Sequence, residues 1–172
     1  MSQVRTLILN RKNIFTLTTF VILIGVATVA PLFHYQAITG PIVNAALFIS
    51  TILLGLQGAV LVALIPSLIA LSVGLLPPVL VPMIPFIMVG NIILIIVFDQ
   101  LKNKNYWLGM ILASIFKFLF LFSTSSIVVN LLLKKEIASK IAMMMGWSQL
   151  LTALSGGIIA YLFLKNIRKL DK

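Results

Sequence analysis

Between Asn13 and Phe98 the chain contains no Lys, Arg, Asp or Glu. A water-soluble domain of that extent needs surface charge to stay solvated. A bilayer makes the opposite demand, because a charged side chain at mid-membrane costs about 2.5–3.5 kcal/mol even on a lenient insertion scale. A hydrocarbon core of roughly 30 Å takes about 20 helical residues to cross. The stretch is far longer than that, so it must fold back on itself several times. The expected fold class is all-α: a polytopic membrane protein, a bundle of six transmembrane helices with both termini cytoplasmic, forming a single integral membrane domain over residues 1–172.

Composition narrows the function classes. Of 172 residues, 61% are hydrophobic and 9% charged, which leaves no room for a separate catalytic or ATPase module. The net charge of +10 is carried at the two ends and in two short loops. That placement reports topology and contact with anionic headgroups rather than a nucleic-acid face. There is no Cys, hence no disulfide, thiolate metal site or redox pair. Three acids and one His speak against a protein metal site, and no cofactor is expected. No carboxylate pair, Ser-His-Asp set, HExxH or P-loop is available, so an enzyme is not expected. Uphill transport by such a chain would draw energy from a partner or an ion.

Arg5, Arg11 and Lys12 precede an apolar run ending at Val29-Ala30, a pattern close to a signal peptide. The run is long for a signal core and Pro31 follows the presumed cleavage point, so it reads as an uncleaved first span. The expected spans are about 14–33, 42–54, 59–76, 86–101, 106–133 and 143–164. Gly40-Pro41 marks a turn after the polar break that begins at His34, and Gly55-Leu56-Gln57-Gly58 splits the second span from the third. Pro77, Pro78, Pro82 and Pro85 exclude regular helix between the third and fourth. The fifth span is long enough to require tilt or a break near Ser123 to Ser126. The basic ends, with Lys102 and Lys104, then fall on the cytoplasmic side, and the loop carrying Lys134, Lys135, Glu136 and Lys140 is the exception outside. Ala59, Ala63 and Ser67, and likewise Ala153 and Gly157, and Gly156 and Ala160, stand four apart, as helix faces that pack closely in lipid do.

With that topology the uncharged polar groups of five spans gather in the outer half. They are His34, Tyr35 and Gln36, then Asn44, Asn91 and Asn130, then Trp147, Ser148 and Gln149. Unpaired amides in hydrocarbon are costly, so these groups must face each other, water or a ligand. The plain alternative is a self-satisfied interhelical network, with Trp147 and Tyr35 as interface anchors. Lys117 is the sharpest single signal: it lies mid-span among Phe116, Phe118 and Phe120, on one helical face with Ser114 and Thr124. It needs a carbonyl, a carboxylate or an anionic ligand group, unless it snorkels to the interface. Asp99 is the one acid within a span, near the inner end.

Three runs then resemble the substrate-binding membrane subunits (S components) of energy-coupling factor (ECF) transporters, nearest to the branch called iron-hydrogenase-associated. They are His34-Tyr35-Gln36-Ala37-Ile38-Thr39-Gly40-Pro41-Ile42-Val43-Asn44-Ala45, Ile84-Pro85-Phe86-Ile87-Met88-Val89-Gly90-Asn91, and Trp147-Ser148-Gln149-Leu150-Leu151-Thr152-Ala153-Leu154-Ser155-Gly156-Gly157. The resemblance covers most of the chain in length, span count and loop placement. It implies a six-helix receptor for a vitamin-like micronutrient or metal ion in a bacterial cell membrane. It also implies partners, a transmembrane coupling subunit and two ATPase subunits. The loops His34 to Pro41 and Pro77 to Pro85 would close over substrate. The family's Ala-x-x-x-Ala docking pattern is interrupted here, since Pro31 follows Ala27 by four; Gly25 and Ala27 stand nearest to it. The hydrogenase label implies no catalysis, because no Cys is present to hold an iron–sulfur cluster.

The residues leave His34, Tyr35, Gln36, Asn44, Asn91, Lys117, Asn130, Trp147 and Gln149 as the candidate substrate-binding set. A mostly uncharged pocket of this kind favours a small neutral or weakly anionic organic solute over a divalent cation. Two alternatives stay open: a stand-alone ion-coupled transporter, and a non-transporting membrane scaffold whose pocket is filled by its own side chains.

Overall fold

A helix that is apolar all round has no face to offer water and must be covered by neighbours or by lipid. The second helix of this chain is of the first kind: every residue from Asn44 to Thr51 is buried. The computed structural model describes residues 11–33, 35–72, 78–132, 143–167 and 170, without the side chains of 11, 12, 70, 78–80 and 129–132. All regular elements among the described residues are helical. They are α1 (Arg11–Val29) with a 3-10 continuation (Ala30–Phe33), α2 (Gln36–Leu53), α3 (Gly55–Ser72), a 3-10 stretch (Pro78–Met83), α4 (Ile84–Leu101), α5 (Tyr106–Leu132) and α6 (Trp147–Asn166). Five stretches are long and apolar enough to cross a membrane: Asn13–Phe33, Gln36–Leu53, Val81–Leu101, Tyr106–Val128 and Met143–Asn166. Gly55–Ile69 is a shorter apolar helix. The chain is a multi-pass, all-helical membrane protein with five candidate spanning helices, and α3 stands where the third span is expected.

Several boundaries differ from the sequence expectation, each for a local reason. The break expected over His34 to Pro41 is helical from Gln36 onward, with Pro41 inside α2. Pro41 comes early in the helix, where its missing donor removes a single backbone bond. Gly40 serves close packing rather than a turn: a Cβ there would lie 2.6 Å from Thr152 Cβ on α6. The turn between α2 and α3 is tighter than the expected four-residue split. It rests on Gly55, whose φ of 72° falls in the left-handed region that glycine adopts without a steric penalty. The proline-rich segment is likewise ordered as 3-10 helix over Pro78–Met83. Pro85 then sits in the first turn of α4, where no donor is required. Of the tilt or break expected for this long span, the break near Ser123 to Ser126 is absent, and α5 runs unbroken for 27 residues. Its hydroxyls bond backward along the helix instead: Thr124 Oγ1 donates to Phe120 O at 2.8 Å, and Ser125 and Ser126 Oγ to Phe122 O at 2.9 and 3.0 Å. The loop of Lys134 to Lys140 lies outside the described residues.

α2 is the axis of the bundle. It packs most extensively on α6 and also touches α1, α3 and α4, while α4 packs along α5. Lipid tails are as apolar as leucine, so helices associate through close packing and hydrogen bonds rather than through escape from water. The small residues of α6 provide the packing. A Cβ on Gly156 would meet Asn44 Cβ at 2.6 Å and Pro41 O at 2.7 Å, and one on Gly157 would run into the Met110 side chain of α5. Ala59, Ala63, Ala153 and Ala160 are buried too, so the small-residue faces are internal seams.

At the ends of α2 and α4 an aromatic cluster joins four helices. Phe48 meets Phe98 edge-on at 4.8 Å, Phe98 meets Tyr106 at 5.3 Å, and Tyr106 meets Tyr161 at 5.2 Å. Pairs of this kind contribute about 0.5–1.5 kcal/mol each. Tyr106 Oη donates to Gly157 O at 2.7 Å, which ties α5 to α6. Nearby, Lys102 Nζ caps the last turn of α2 by donating to Thr51 O at 2.8 Å, and pairs with Asp99 at 2.7 Å.

Gly156→Ala should lower stability by about 1–3 kcal/mol, the usual cost of overpacking. Gly25→Ala is the control, because nothing lies within 4 Å of a Cβ there. Thermal unfolding in detergent micelles separates them: Gly25→Ala should match the parent or exceed it slightly, since alanine is the better helix former. Equal stability for Gly156→Ala would contradict the close approach of α6 to α2.

Candidate functional site

One end of the bundle collects the C-terminal part of α1 and α3, the N-terminal parts of α2, α4 and α6, and the middle of α5. They enclose a partly open cavity of ≈ 130 Å³. Its walls are mostly apolar, supplied by residues such as Ala27, Val43, Val62, Ile84 and Ile87. Its polar groups are few and come from five different helices.

Lys117 enters from α5 and is 3% exposed. Its Nζ donates to Asn44 Oδ1 on α2 at 2.6 Å and to Asn91 Oδ1 on α4 at 2.7 Å. An ammonium only donates, so both amides must present oxygen to it, and this fixes their orientation. Asn44 is held from behind as well, its Nδ2 donating to Gly40 O at 2.9 Å. Hydrogen bonds to a charged group contribute about 1.5–3 kcal/mol each, whereas a buried charge stripped of its partners costs several kcal/mol. The two amides therefore solvate the ammonium without neutralising it.

Gln149 of α6 also lines the cavity. Its Nε2 donates to Met144 O at 3.1 Å, which leaves its Oε1 as an acceptor. Gln36, in the first turn of α2, lines the mouth, and neighbouring Thr39 ties α2 to the end of α1 by donating to Ala30 O at 3.0 Å. Of the candidate set, the structure brings together Gln36, Asn44, Asn91, Lys117 and Gln149. Two others stand apart. Tyr35 is 62% exposed and Trp147 is 70% exposed, the latter stacked on Phe118 at the start of α6. Both occupy helix ends on the outer surface, as interfacial aromatics do. His34 and the Asn130 side chain lie outside the described residues.

Further sequence expectations are redistributed. Asn44 and Asn91 lie deeper than expected, roughly 12 and 10 Å along their helices at 1.5 Å per residue, because α2 and α4 start earlier. Lys117 does not snorkel, and Asp99 serves Lys102 instead of it. Ser114 and Thr124 share its face but bond back to their own helix at Met110 O and Phe120 O. Ala27 is 2% exposed and lines the cavity, so of the two residues considered for partner docking only Gly25 points outward. Pro66 is a wall residue that sequence reasoning passed over, and Ser67, expected on a small-residue packing face, lines the wall beside it. A proline within an apolar helix was the available signal, because it frees the carbonyl four residues earlier, here Val62 of the same wall.

Compared with protein-family models, curated proteins and solved structures, the chain matches none. The site's own chemistry has to carry the functional reading. Among the described residues no three His, Asp or Glu side chains come together in a way that would hold a metal ion. What the cavity offers is one cation, several amide groups and an apolar lining, which suits recognition of a small organic molecule.

Asn44→Ala and Asn91→Ala should each destabilise the protein by about 1–3 kcal/mol, the cost of leaving a buried donor under-satisfied. In a Lys117→Met background both costs should largely vanish, giving coupling energies of about 1–3 kcal/mol. Unfolding midpoints of the double-mutant cycles measure this, and simple additivity would mean that the Lys117 contacts are not formed in solution.

Proposed function

We propose that the chain is the substrate-binding membrane subunit of an ECF-type importer for a vitamin-like or other small micronutrient. The observation that carries this reading is the cavity itself. A buried lysine held by two amides faces an unfilled, mostly apolar space at one end of a membrane bundle. A scaffold protein would be expected to fill that space with its own side chains. In this reading α3 also crosses the bilayer, as the third of six spans, and both termini are cytoplasmic. The cavity then opens to the outside of a bacterial cell membrane. Solute enters between the α1–α2 junction and the proline-rich stretch before α4. Energy for release inward comes from a coupling subunit and two ATPase subunits. The outward side of α1 that includes Gly25 is available for docking them.

Two measurements test this. Co-expression with an ECF coupling subunit and its ATPases should yield a stable complex, with uptake that requires ATP hydrolysis. Lys117→Ala and Asn91→Ala should lower that uptake by tenfold or more while the complex still forms. ATP-independent uptake by this chain alone in vesicles would overturn the reading. The absence of Cys provides a clean background for topology. Single variants Ser2→Cys and Asp171→Cys should react with a membrane-impermeant maleimide only after the cells are opened, and labelling of either one in intact cells would refute six crossings with both ends inside.

A further inference from the structure

The cavity contains donors that no described residue uses. An ammonium has three N–H bonds. Lys117 directs two of them at Asn44 Oδ1 and Asn91 Oδ1, and the third meets no acceptor among the described residues. Asn44 has its own amide nitrogen engaged by Gly40 O. Asn91 differs: its Oδ1 faces Lys117, but its Nδ2 donates to no described residue, although Asn91 is only 4% exposed and lines the cavity. A charged donor and a neutral one are thus joined through the Asn91 side chain and left open toward the same space.

Among the described residues the charge has no counterpart there. The chain holds three acids. Asp99 is paired with Lys102 at 2.7 Å, and Glu136 and Asp171 lie outside the described residues. Charge interactions strengthen severalfold as the surroundings become less polar, so an unneutralised ammonium in this setting strongly favours an anion over a neutral or cationic guest. Two N–H donors, one of them cationic, match the two oxygens of a carboxylate.

Beside the polar side chains of Gln36, Thr39, Ser67 and Gln149, an apolar part of the wall limits the body of the guest. Ala27, Val43, Val62, Ala63, Ile84 and Ile87 present no hydrogen-bonding side chains. The ≈ 130 Å³ of space is close to the roughly 150 Å³ engineered cavity that takes up benzene. It suits a single ring or a short branched chain.

We infer that the occupant is a small water-soluble monocarboxylate with an apolar body, its carboxylate seated on Lys117 Nζ and Asn91 Nδ2. This rests on the reading of the cavity as a solute site but not on the coupling to ATPases. A fatty acid carries the same head group, so the test must tell the two sources apart.

The full chain in phosphatidylcholine nanodiscs is titrated with benzoate, with benzamide as its neutral analogue and with decanoate as the lipid-like acid. The readout is the rise in unfolding temperature. Benzoate should act at concentrations at least tenfold lower than benzamide and than decanoate. Lys117→Met should abolish the benzoate response. Asn91→Asp is the second variant: it places a carboxylate beside Lys117, so it should keep the fold by ion pairing yet weaken benzoate at least tenfold. Benzamide equal to benzoate, a benzoate response that survives Asn91→Asp, or no response to any probe would overturn the inference. So would decanoate acting at the lowest concentration, which would assign the site to lipid. A failed benzoate response beside an intact ATP-dependent complex refutes the anion subsite alone; the reverse pattern refutes the importer and leaves the subsite standing.

Discussion

The ammonium of Lys117 sets the terms for everything around it. A charge in the middle of a membrane helix persists only if polar groups from elsewhere reach it. Here they come from two other helices, at 2.6 and 2.7 Å. That requirement joins α2, α4 and α5 at one depth and fixes which way both amides face. It also explains why α2, the most buried helix, carries an asparagine in an otherwise apolar section. The polar centre and the packing core are therefore one construction.

The α2–α6 seam shows how the two depend on each other. Gly156 lies against Asn44 itself, and Gly40 supplies both the close contact to Thr152 and the carbonyl that holds Asn44 Nδ2. Small residues allow the backbones to approach, and the approach leaves Asn44 little freedom. Preorganisation of this kind reduces the ordering cost on binding. At the other end the Phe48, Phe98 and Tyr106 cluster and the Lys102 cap anchor the same helices, away from the cavity.

Much of this was legible in the sequence, because polar residues within apolar runs are few and each needs a reason. Lys117, Asn44, Asn91, Gln36 and Gln149 were visible on that ground, and they do line one cavity. Tyr35 and Trp147 were visible by the same logic, but residues at helix ends have the outer surface as a second option and took it. The pairing of Lys117 with amide oxygens was not legible, since spacing along a chain says nothing about which helices meet. Gly40-Pro41 misled for a physical reason. In water that dipeptide signals a turn; between packed helices glycine serves contact, and a proline near a helix start forfeits little. The length of α5 suggested tilt or a break near Ser123 to Ser126, yet the hydroxyls of Thr124, Ser125 and Ser126 found carbonyls one turn back and the helix is continuous.

The first helix has a different mechanical status from the rest. Only 17% of its membrane window is buried, against 50% for α2. Its inner face, with Ala27, still forms one wall of the cavity, and Thr39 holds its end through a single hydrogen bond. The cavity is thus bounded by stiff walls on the sides of α2, α4 and α6 and by a compliant wall on the side of α1. For the solute proposed above, steric selection should be directional as a result. A guest enlarged toward the glycine seam meets backbone and is rejected, whereas one enlarged toward α1 needs only that helix to lean outward into lipid. A series of guests of equal volume but different shape would then be ranked by where they carry their bulk.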